Sequence, residues 1–201
     1  PSFGLGTYKL EAGESAYNIV LEALKMGYRH IDTAVMYNNE REVGKAIKDS
    51  KIPRNEIFVT TKVFKQHDGN QELIIKDIED SLKRLDIEYI DLLLIHWPNN
   101  DYEINDIVWK IFEGFYEKGL VKSIGVSNFK IHHLEYLMKN ARIKPQVNQV
   151  ECHPLLNQYP MQKYLEKLDI QMVSYGPFAK GKVLEEPFKT ELELIGNSYH
   201  A

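Results

Sequence analysis

The sequence has little of what would direct a protein to an oxidising compartment, a membrane or a nucleic acid. Its single cysteine, Cys152, cannot form a disulfide within the chain. No apolar run approaches the roughly 20 residues of a membrane span, and no segment has the flanks of a signal peptide. The net charge of -4 gives no chain-wide attraction to phosphate backbones or anionic lipid. We therefore predict a cytoplasmic protein without nucleic-acid or membrane partners. We expect a monomer or weak homodimer, although none of these features determines the oligomeric state.

Low-complexity and disorder-prone stretches are also lacking. With 43% hydrophobic and 27% charged residues, the composition is typical of a folded protein. A length of 201 residues favours a single domain, and residues 1–201 are expected to form it. The chain begins at Pro1 and stops after an amphipathic segment, residues 190–200, that has no downstream partner. Both ends are therefore expected to be truncated.

Two kinds of hydrophobic pattern alternate along the whole chain. Short β-branched or apolar runs are separated by longer runs with apolar residues three or four apart, which is typical of a parallel sheet with helical crossovers. Seven strands are predicted, at residues 3–10, 28–34, 57–63, 89–97, 121–127, 146–151 and 170–175. Helices are predicted between them, at residues 14–26, 41–50, 71–85, 104–118, 132–139 and 161–168.

The spacing of these strands favours a (β/α)8 TIM-type barrel that lacks the eighth βα unit in this chain. The alternative is an open doubly wound sheet, which would place a glycine-rich phosphate turn after its first strand. Gly4 and Gly6 are not followed by a third glycine, because position 9 is Lys9. Two glycines in a first strand more often mark a bend or close packing than a cofactor loop.

Three consecutive predicted strands each end in an ionisable residue: Asp32, Lys62 and His96. Tyr37 follows the first of them. The open mouth of a parallel barrel lies where its strands end, so these groups are expected to meet there. Asp32 and Lys62 alone could be a structural ion pair, since buried charges need partners. A phenol and an imidazole beside that pair are not required for structure, and together the four residues favour a functional site.

Several short motifs occur in one order along the chain. They are GLGT at residues 4–7, GYRHIDTA at 27–34 followed by Tyr37, TK at 61–62, IHWP at 95–98, GVSNF at 125–129 and VNQ at 147–149. In these motifs the chain resembles the aldo-keto reductases, in particular microbial members that reduce small aldehydes and 2,5-diketogluconate. The resemblance spans nearly the whole sequence and implies NADP(H)-dependent reduction of an aldehyde or ketone, with NAD(H) left open.

The resemblance also implies a role for each matching residue. The catalytic tetrad would be Asp32, Tyr37, Lys62 and His96. The residues that hold the nicotinamide carboxamide would be Ser127, Asn128 and Gln149, and Tyr175 would stack on the nicotinamide ring. The loop after strand seven contains Gly176, Pro177 and Lys180, which suit a flap over a pyrophosphate, although such loops are common as exposed connections.

The implied chemistry makes demands that can be stated physically. Tyr37 would give its phenolic proton to the alkoxide that forms as a hydride reaches the carbonyl carbon. A free phenol has a pKa near 10, and a positive charge about 4 Å away contributes about 4 kcal/mol at an effective dielectric of 20. We therefore expect Lys62 to lower the pKa of Tyr37, with Asp32 orienting Lys62. Neutral His96 would bond the substrate carbonyl oxygen.

Three aromatic residues near the strand ends, Tyr8, Phe64 and Trp97, are expected to line the substrate pocket together with His96. Core packing is the alternative for them. In much of the family the position of Tyr8 holds Trp, so this difference bears on pocket size.

No metal site is expected. Cys152-His153 and His132-His133 lack the ligand spacing of a zinc site. A Schiff-base lyase would use a neutral Lys62, whereas a neighbouring carboxylate favours the charged form. Two further interpretations are a non-catalytic cofactor-binding or regulatory barrel and an inactive fragment of a reductase. Open sheet edges favour the latter, and we expect weak or absent turnover from residues 1–201 alone.

Overall fold

A computed structural model describes residues 1–64 and 66–199 as seven strands alternating with seven α-helices. The strands are β1 (Leu5–Gly6), β2 (His30–Asp32), β3 (Phe58–Val63), β4 (Leu92–Ile95), β5 (Ile124–Ser127), β6 (Val147–Glu151) and β7 (Gln171–Tyr175). The helices are α1 (Glu14–Lys25), α2 (Glu40–Asp49), α3 (Gln71–Leu85), α4 (Tyr102–Glu117), α5 (Ile131–Asn140), α6 (Tyr159–Leu168) and α7 (Phe188–Tyr199). None of the described helices is long and apolar enough to cross a membrane.

The strands form one parallel sheet in which each strand pairs with the next along the chain, from β1 to β7. Sequential order is that of a βα barrel, whereas a doubly wound sheet reverses direction from its first strand. The sheet curls enough for Gln149 on β6 to bond Asp32 on β2 across the interior. No eighth strand follows β7 within the described residues. The predicted barrel without its eighth unit is therefore confirmed.

Helix α3 shows why the predicted helices form. Ile74, Ile78 and Leu85 lie on one face and are completely buried. The side chain of Asn70 caps the first turn by accepting a hydrogen bond from the amide of Leu73 at 3.2 Å. Asp86 ends the helix with a positive φ. The predicted bounds, residues 71–85, agree with the structure.

The predicted strands are too long at several ends. Strand one was expected over residues 3–10 but covers only Leu5–Gly6, since the chain turns at Tyr8 and Lys9. Strand four was expected over residues 89–97 and covers Leu92–Ile95, with Ile90 making an isolated bridge. Apolar residues continue past the paired segments in both places. The hydrophobic pattern alone therefore predicts strands that are longer than the hydrogen-bonded segments.

The C-terminal amphipathic segment is also helical. Residues 190–199 lie in α7, and His200, the last residue of the predicted segment, lies outside the described residues. Helix packing elsewhere is close: a Cβ on Gly44 of α2 would lie 2.0 Å from the carbonyl oxygen of Leu85 in α3. Only glycine allows α2 to approach α3 in this way.

Candidate active site

The four residues of the expected tetrad meet where β2, β3 and β4 end. Asp32 is the last residue of β2, Lys62 lies near the end of β3, and His96 follows β4. Tyr37 ends a short 3-10 turn, Val35–Tyr37, directly after β2. Its ring centroid lies 5.6 Å from that of His96 and 5.1 Å from the ammonium nitrogen of Lys62.

The charge of Lys62 is buried and paired. Its side chain is 1% exposed, and its ammonium donates to the carboxylate of Asp32 and to the carbonyl oxygen of Thr33, the latter at 2.9 Å. A buried ammonium is tolerated only with such partners. Asp32 in turn accepts a second hydrogen bond, from Nε2 of Gln149 at 2.7 Å. The ion pair is thus linked to both sides of the barrel interior.

The expectation that Lys62 lowers the pKa of Tyr37 is wrong for this arrangement. Burial of the phenol raises its pKa above the ordinary value, and the charge of Asp32 adds to the rise, as do Tyr8 and Tyr175. The physical reason is that Lys62 is already engaged by Asp32, so its field is largely offset at the phenol. Tyr37 is therefore fully protonated at neutral pH.

His96 is neutral at neutral pH, as expected. Burial lowers its pKa to about 4, the positive charge of Lys62 adds to the effect, and Asp32 opposes it. Its Nδ1 atom is buried and has no hydrogen-bond partner within the described part of the chain. An unbonded N–H costs more than an unbonded lone pair, which favours the tautomer with the proton on Nε2. That tautomer can donate one hydrogen bond from Nε2.

The three expected pocket aromatics are exposed at this rim, so the core-packing alternative is wrong for them. Tyr8 is 62% exposed and its ring centroid lies 5.2 Å from that of Tyr37. Phe64 is 43% exposed and lies 5.8 Å from His96, centroid to centroid. Trp97 is 49% exposed, and its carbonyl oxygen accepts a hydrogen bond from Gln66. Tyr8 and Phe64 thus flank the tetrad.

The residues expected to hold the nicotinamide form one hydrogen-bonded group beside the tetrad. The side-chain nitrogen Nδ2 of Asn128 donates to the hydroxyl of Ser127 at 3.1 Å and to the carbonyl oxygen of His96 at 3.0 Å. The hydroxyl of Tyr175 donates to Oδ1 of Asn128 at 2.8 Å. Gln149, through Asp32, joins this group to the ion pair. Two amides and a hydroxyl next to an aromatic ring suit a planar ring that carries a carboxamide.

The loop after β7 lies at the same rim but makes no described bond to the tetrad. Gly176, Pro177 and Lys180 are exposed, and Gly176 and Lys180 both have positive φ, at 61° and 58°. Their role over a pyrophosphate remains a prediction. Among residues 1–64 and 66–199, no three or more His, Cys, Asp or Glu side chains are placed to hold a metal ion.

Two polar residues that were not predicted for the site bond the chain neighbours of Asp32 and Lys62. Asn39 is completely buried and Glu40 is 1% exposed. Glu40 belongs to α2, which was predicted to begin one residue later. An acidic residue at the start of a helix is ordinarily exposed to solvent, so the sequence did not indicate that Glu40 is buried.

Comparison with known proteins identifies the family of this chain. Residues 2–191 match the aldo/keto reductase family. The chain belongs to the aldo/keto reductase family. It is 45% identical to a glyoxal reductase of Bacillus subtilis (strain 168) over 192 residues, which cover 96% of this chain and 68% of that protein.

Solved aldo-keto reductases share the fold. An aldo-keto reductase from a Medee basin deep-sea metagenome library is 49% identical with a TM-score of 0.85, covering 94% of this chain and 66% of that one. The Bombyx mori aldo-keto reductase in complex with NADP is 34% identical with a TM-score of 0.79, covering 88% and 62%. The chain thus spans about two thirds of the length of these family members.

Proposed function

We propose that this protein reduces small aldehydes or ketones with a reduced nicotinamide cofactor and that Tyr37 is the proton donor. The observation that carries the proposal is the meeting of Tyr37, the Asp32–Lys62 ion pair and neutral His96 at one rim, beside exposed aromatic side chains. Structural stability alone requires only the ion pair. Membership of the aldo/keto reductase family supports the same reaction.

The cofactor would be held by the bonded group next to the tetrad. Ser127, Asn128 and Gln149 offer amide and hydroxyl groups for a carboxamide, and Tyr175 offers a ring face. The cofactor supplies a hydride when it is bound. We propose NADP(H) as the cofactor, because a similar family member of known structure binds NADP.

Tyr37 meets the requirement for a proton donor even though its pKa is raised. A phenol with a raised pKa carries its proton throughout the physiological pH range. The alkoxide left after reduction is about as basic as hydroxide and therefore much more basic than a phenolate. Proton transfer from Tyr37 to that oxygen remains favourable. The Lys62 ammonium lies 5.1 Å from the ring centroid, but its pairing with Asp32 offsets most of the stabilisation that it offers to the phenolate.

His96 would orient the carbonyl group. With its proton on Nε2, the ring donates a hydrogen bond to the carbonyl oxygen and stabilises the negative charge that develops there. Its low pKa keeps it neutral, so it does not compete with Tyr37 as the proton source. Tyr8 and Phe64 then confine an apolar substituent of the substrate.

We propose small aldehydes that carry a second carbonyl group as the substrate class. The similar Bacillus subtilis protein is named a glyoxal reductase, and the aromatic walls suit phenylglyoxal as a laboratory probe. Phenylglyoxal combines an aldehyde, an adjacent ketone and an aromatic ring. It therefore tests the carbonyl chemistry and the aromatic walls together.

The test follows NADPH oxidation with phenylglyoxal in the parent chain and in Tyr37→Phe. We expect kcat to fall by about a hundredfold to ten-thousandfold in Tyr37→Phe, the range for loss of a general acid. Tyr164→Phe is the matched control, because burial raises the pKa of that tyrosine too but it lies on α6, outside the barrel interior. Its turnover should equal that of the parent.

Two outcomes would contradict the proposal. Equal turnover in Tyr37→Phe and the parent would remove Tyr37 as the proton donor. Absent turnover in the parent, with NADPH binding retained in a fluorescence titration, would favour a non-catalytic cofactor-binding barrel. Absence of both turnover and NADPH binding would instead favour the inactive fragment expected from the sequence.

A further inference from the structure

Asn39 uses its whole side-chain hydrogen-bonding capacity inside the protein. Its Oδ1 accepts from the hydroxyls of Thr7 at 3.1 Å and Thr33 at 2.9 Å. Its Nδ2 donates to the carbonyl oxygens of Thr7 at 2.9 Å and Leu10 at 3.1 Å. The side chain is completely buried. One amide therefore joins the ends of β1 and β2 to the start of α2.

Glu40 connects the start of α2 to β3 and α3 by buried hydrogen bonds. Its carboxylate accepts from the hydroxyl of Thr61 at 2.7 Å and from Nε of Arg84 at 2.7 Å, with the hydroxyl of Ser81 at 3.4 Å. The side chain is 1% exposed. A buried carboxylate is costly unless its oxygens are bonded, and here they are. Glu40 therefore joins the start of α2 to β3 and α3.

The partners of these two residues are neighbours of the tetrad along the chain. Thr33 follows Asp32, and Thr61 precedes Lys62. Thr7 precedes Tyr8, whose ring lies against Tyr37. Tyr37 itself lies on a short segment between β2 and α2 whose only regular structure is one 3-10 turn. The Asn39–Glu40 pair, which we name the anchor, holds the far end of that segment.

We propose that the anchor sets the position of the Tyr37 phenol relative to the Asp32–Lys62 ion pair, so that Asn39 and Glu40 are positioning residues for proton transfer. This inference deepens the proposed function and rests on it. The anchor bonds Thr61 on β3 and also Thr7 and Thr33, which directly follow β1 and β2. Displacement of the segment that carries Tyr37 would therefore require several buried bonds to break together. A displacement of about 1 Å is enough to cost about a hundredfold in rate.

Glu113 offers a matched control for Glu40. It is also completely buried, and it also pairs with an arginine, Arg142, through Nε at 3.2 Å. Its carboxylate further accepts from the backbone amides of Arg142 and Ile143 at 2.7 and 2.9 Å. Glu113 lies on α4, and Arg142 and Ile143 lie between α5 and β6, at the end of the barrel where β6 begins and opposite the tetrad. Loss of a buried carboxylate is common to both sites, whereas proximity to Tyr37 is not.

The experiment compares Glu40→Gln, Asn39→Leu and Glu113→Gln with the parent chain. Tyrosine labelled with carbon-13 at Cζ reports the phenol directly, and the Tyr37 signal is assigned by its absence in Tyr37→Phe. Charged and titratable groups facing that phenol are Asp32, Lys62, His96, Tyr8 and Tyr175. Thermal unfolding and NADPH oxidation with phenylglyoxal are measured on the same samples.

We expect all three variants to unfold at lower temperature than the parent. Only Glu40→Gln and Asn39→Leu should shift the Tyr37 signal and lower the pH at which it titrates, because a released segment lets water reach the phenol. In the same two variants kcat should fall about tenfold to a hundredfold, with a smaller change in KM. Glu113→Gln should retain the Tyr37 signal, its titration and the parent kcat.

The inference would be overturned if the Tyr37 signal and titration were unchanged in folded Glu40→Gln and Asn39→Leu, or if Glu113→Gln altered them equally. If one anchor variant fails to fold, the other decides. A parent with no turnover whose Tyr37 signal still depends on the anchor would contradict the proposed function alone, so the two failures are distinguishable.

Discussion

The two ends of the barrel both contain ion pairs that are at least partly buried, but their surroundings differ. Where the strands begin, Arg54 bonds Asp91 at 2.6 Å and also the carbonyl oxygens of Ile57 and Tyr89. Asp91 accepts in turn from a backbone amide, at 2.9 Å. These charges therefore connect segments of chain to one another.

Where the strands end, the ion pair of Lys62 and Asp32 lies beside groups that are prepared for chemistry. The pKa of the Tyr37 phenol is raised, the pKa of the His96 imidazole is lowered to about 4, and exposed aromatic rings flank both. The difference teaches that a buried ion pair alone indicates stability. A phenol and an imidazole with shifted pKa values beside the ion pair indicate a functional site.

The largest expected effects come from replacing the cation of the ion pair at each end of the barrel. Lys62→Met leaves Asp32 as a partly buried carboxylate without its cation and should reduce the free energy of unfolding by about 3–5 kcal/mol. Arg54→Met should reduce the free energy of unfolding by a comparable amount, because Asp91 also loses its cation. Urea unfolding measures both. Turnover with phenylglyoxal should collapse in Lys62→Met and persist in folded Arg54→Met; equal loss in both would contradict the distinction.

A second, smaller effect concerns pH. The folded state holds His96 neutral with a pKa of about 4, against 6.5 ordinarily, so the unfolded chain binds the proton first as pH falls. The contribution of His96 to the free energy of unfolding is therefore complete above about pH 6.5 and decreases as pH falls towards 4. Burial also lowers the pKa of His30, which adds to the same slope.

Urea unfolding between those pH values measures this dependence, with His96→Asn as the comparison. The variant should lose part of the slope and keep the part due to His30. An unchanged slope in His96→Asn would show that His96 does not depend on burial for its neutral state.

The smallest expected effect comes from an exposed pair. Lys48 bonds Asp86 at 3.0 Å, but both side chains are more than two thirds exposed. Water and salt screen such a pair, so Lys48→Ala should change the free energy of unfolding by less than about 1 kcal/mol and leave turnover unchanged. A loss as large as that in Arg54→Met would mean that burial is not what separates these ion pairs.

Asp32, Lys62 and His96 could be predicted as a group because each ends a consecutive strand, and parallel strand ends converge at one rim. Asn39 and Glu40 could not be predicted as buried, because their partners, Thr7 and Arg84, lie 32 and 44 residues away in the chain. The local sequence pattern does not predict contacts between residues that are so far apart in the chain. The short extent of β1 is similar, since the chain turns at Tyr8 and Lys9 and the carbonyl oxygens on either side, of Thr7 and Leu10, bond the remote side chain of Asn39.

The sequence by itself determined the alternation of strands and helices, the barrel class and the identity of the ionisable residues at the rim, because periodicity and strand-end position are local properties. Only the tertiary structure decided how those residues affect one another. Lys62 pairs with Asp32 and Thr33, so burial outweighs its charge at Tyr37 and raises the pKa of the phenol. Electrostatic balance depends on distance and desolvation, which arise only when remote segments pack together.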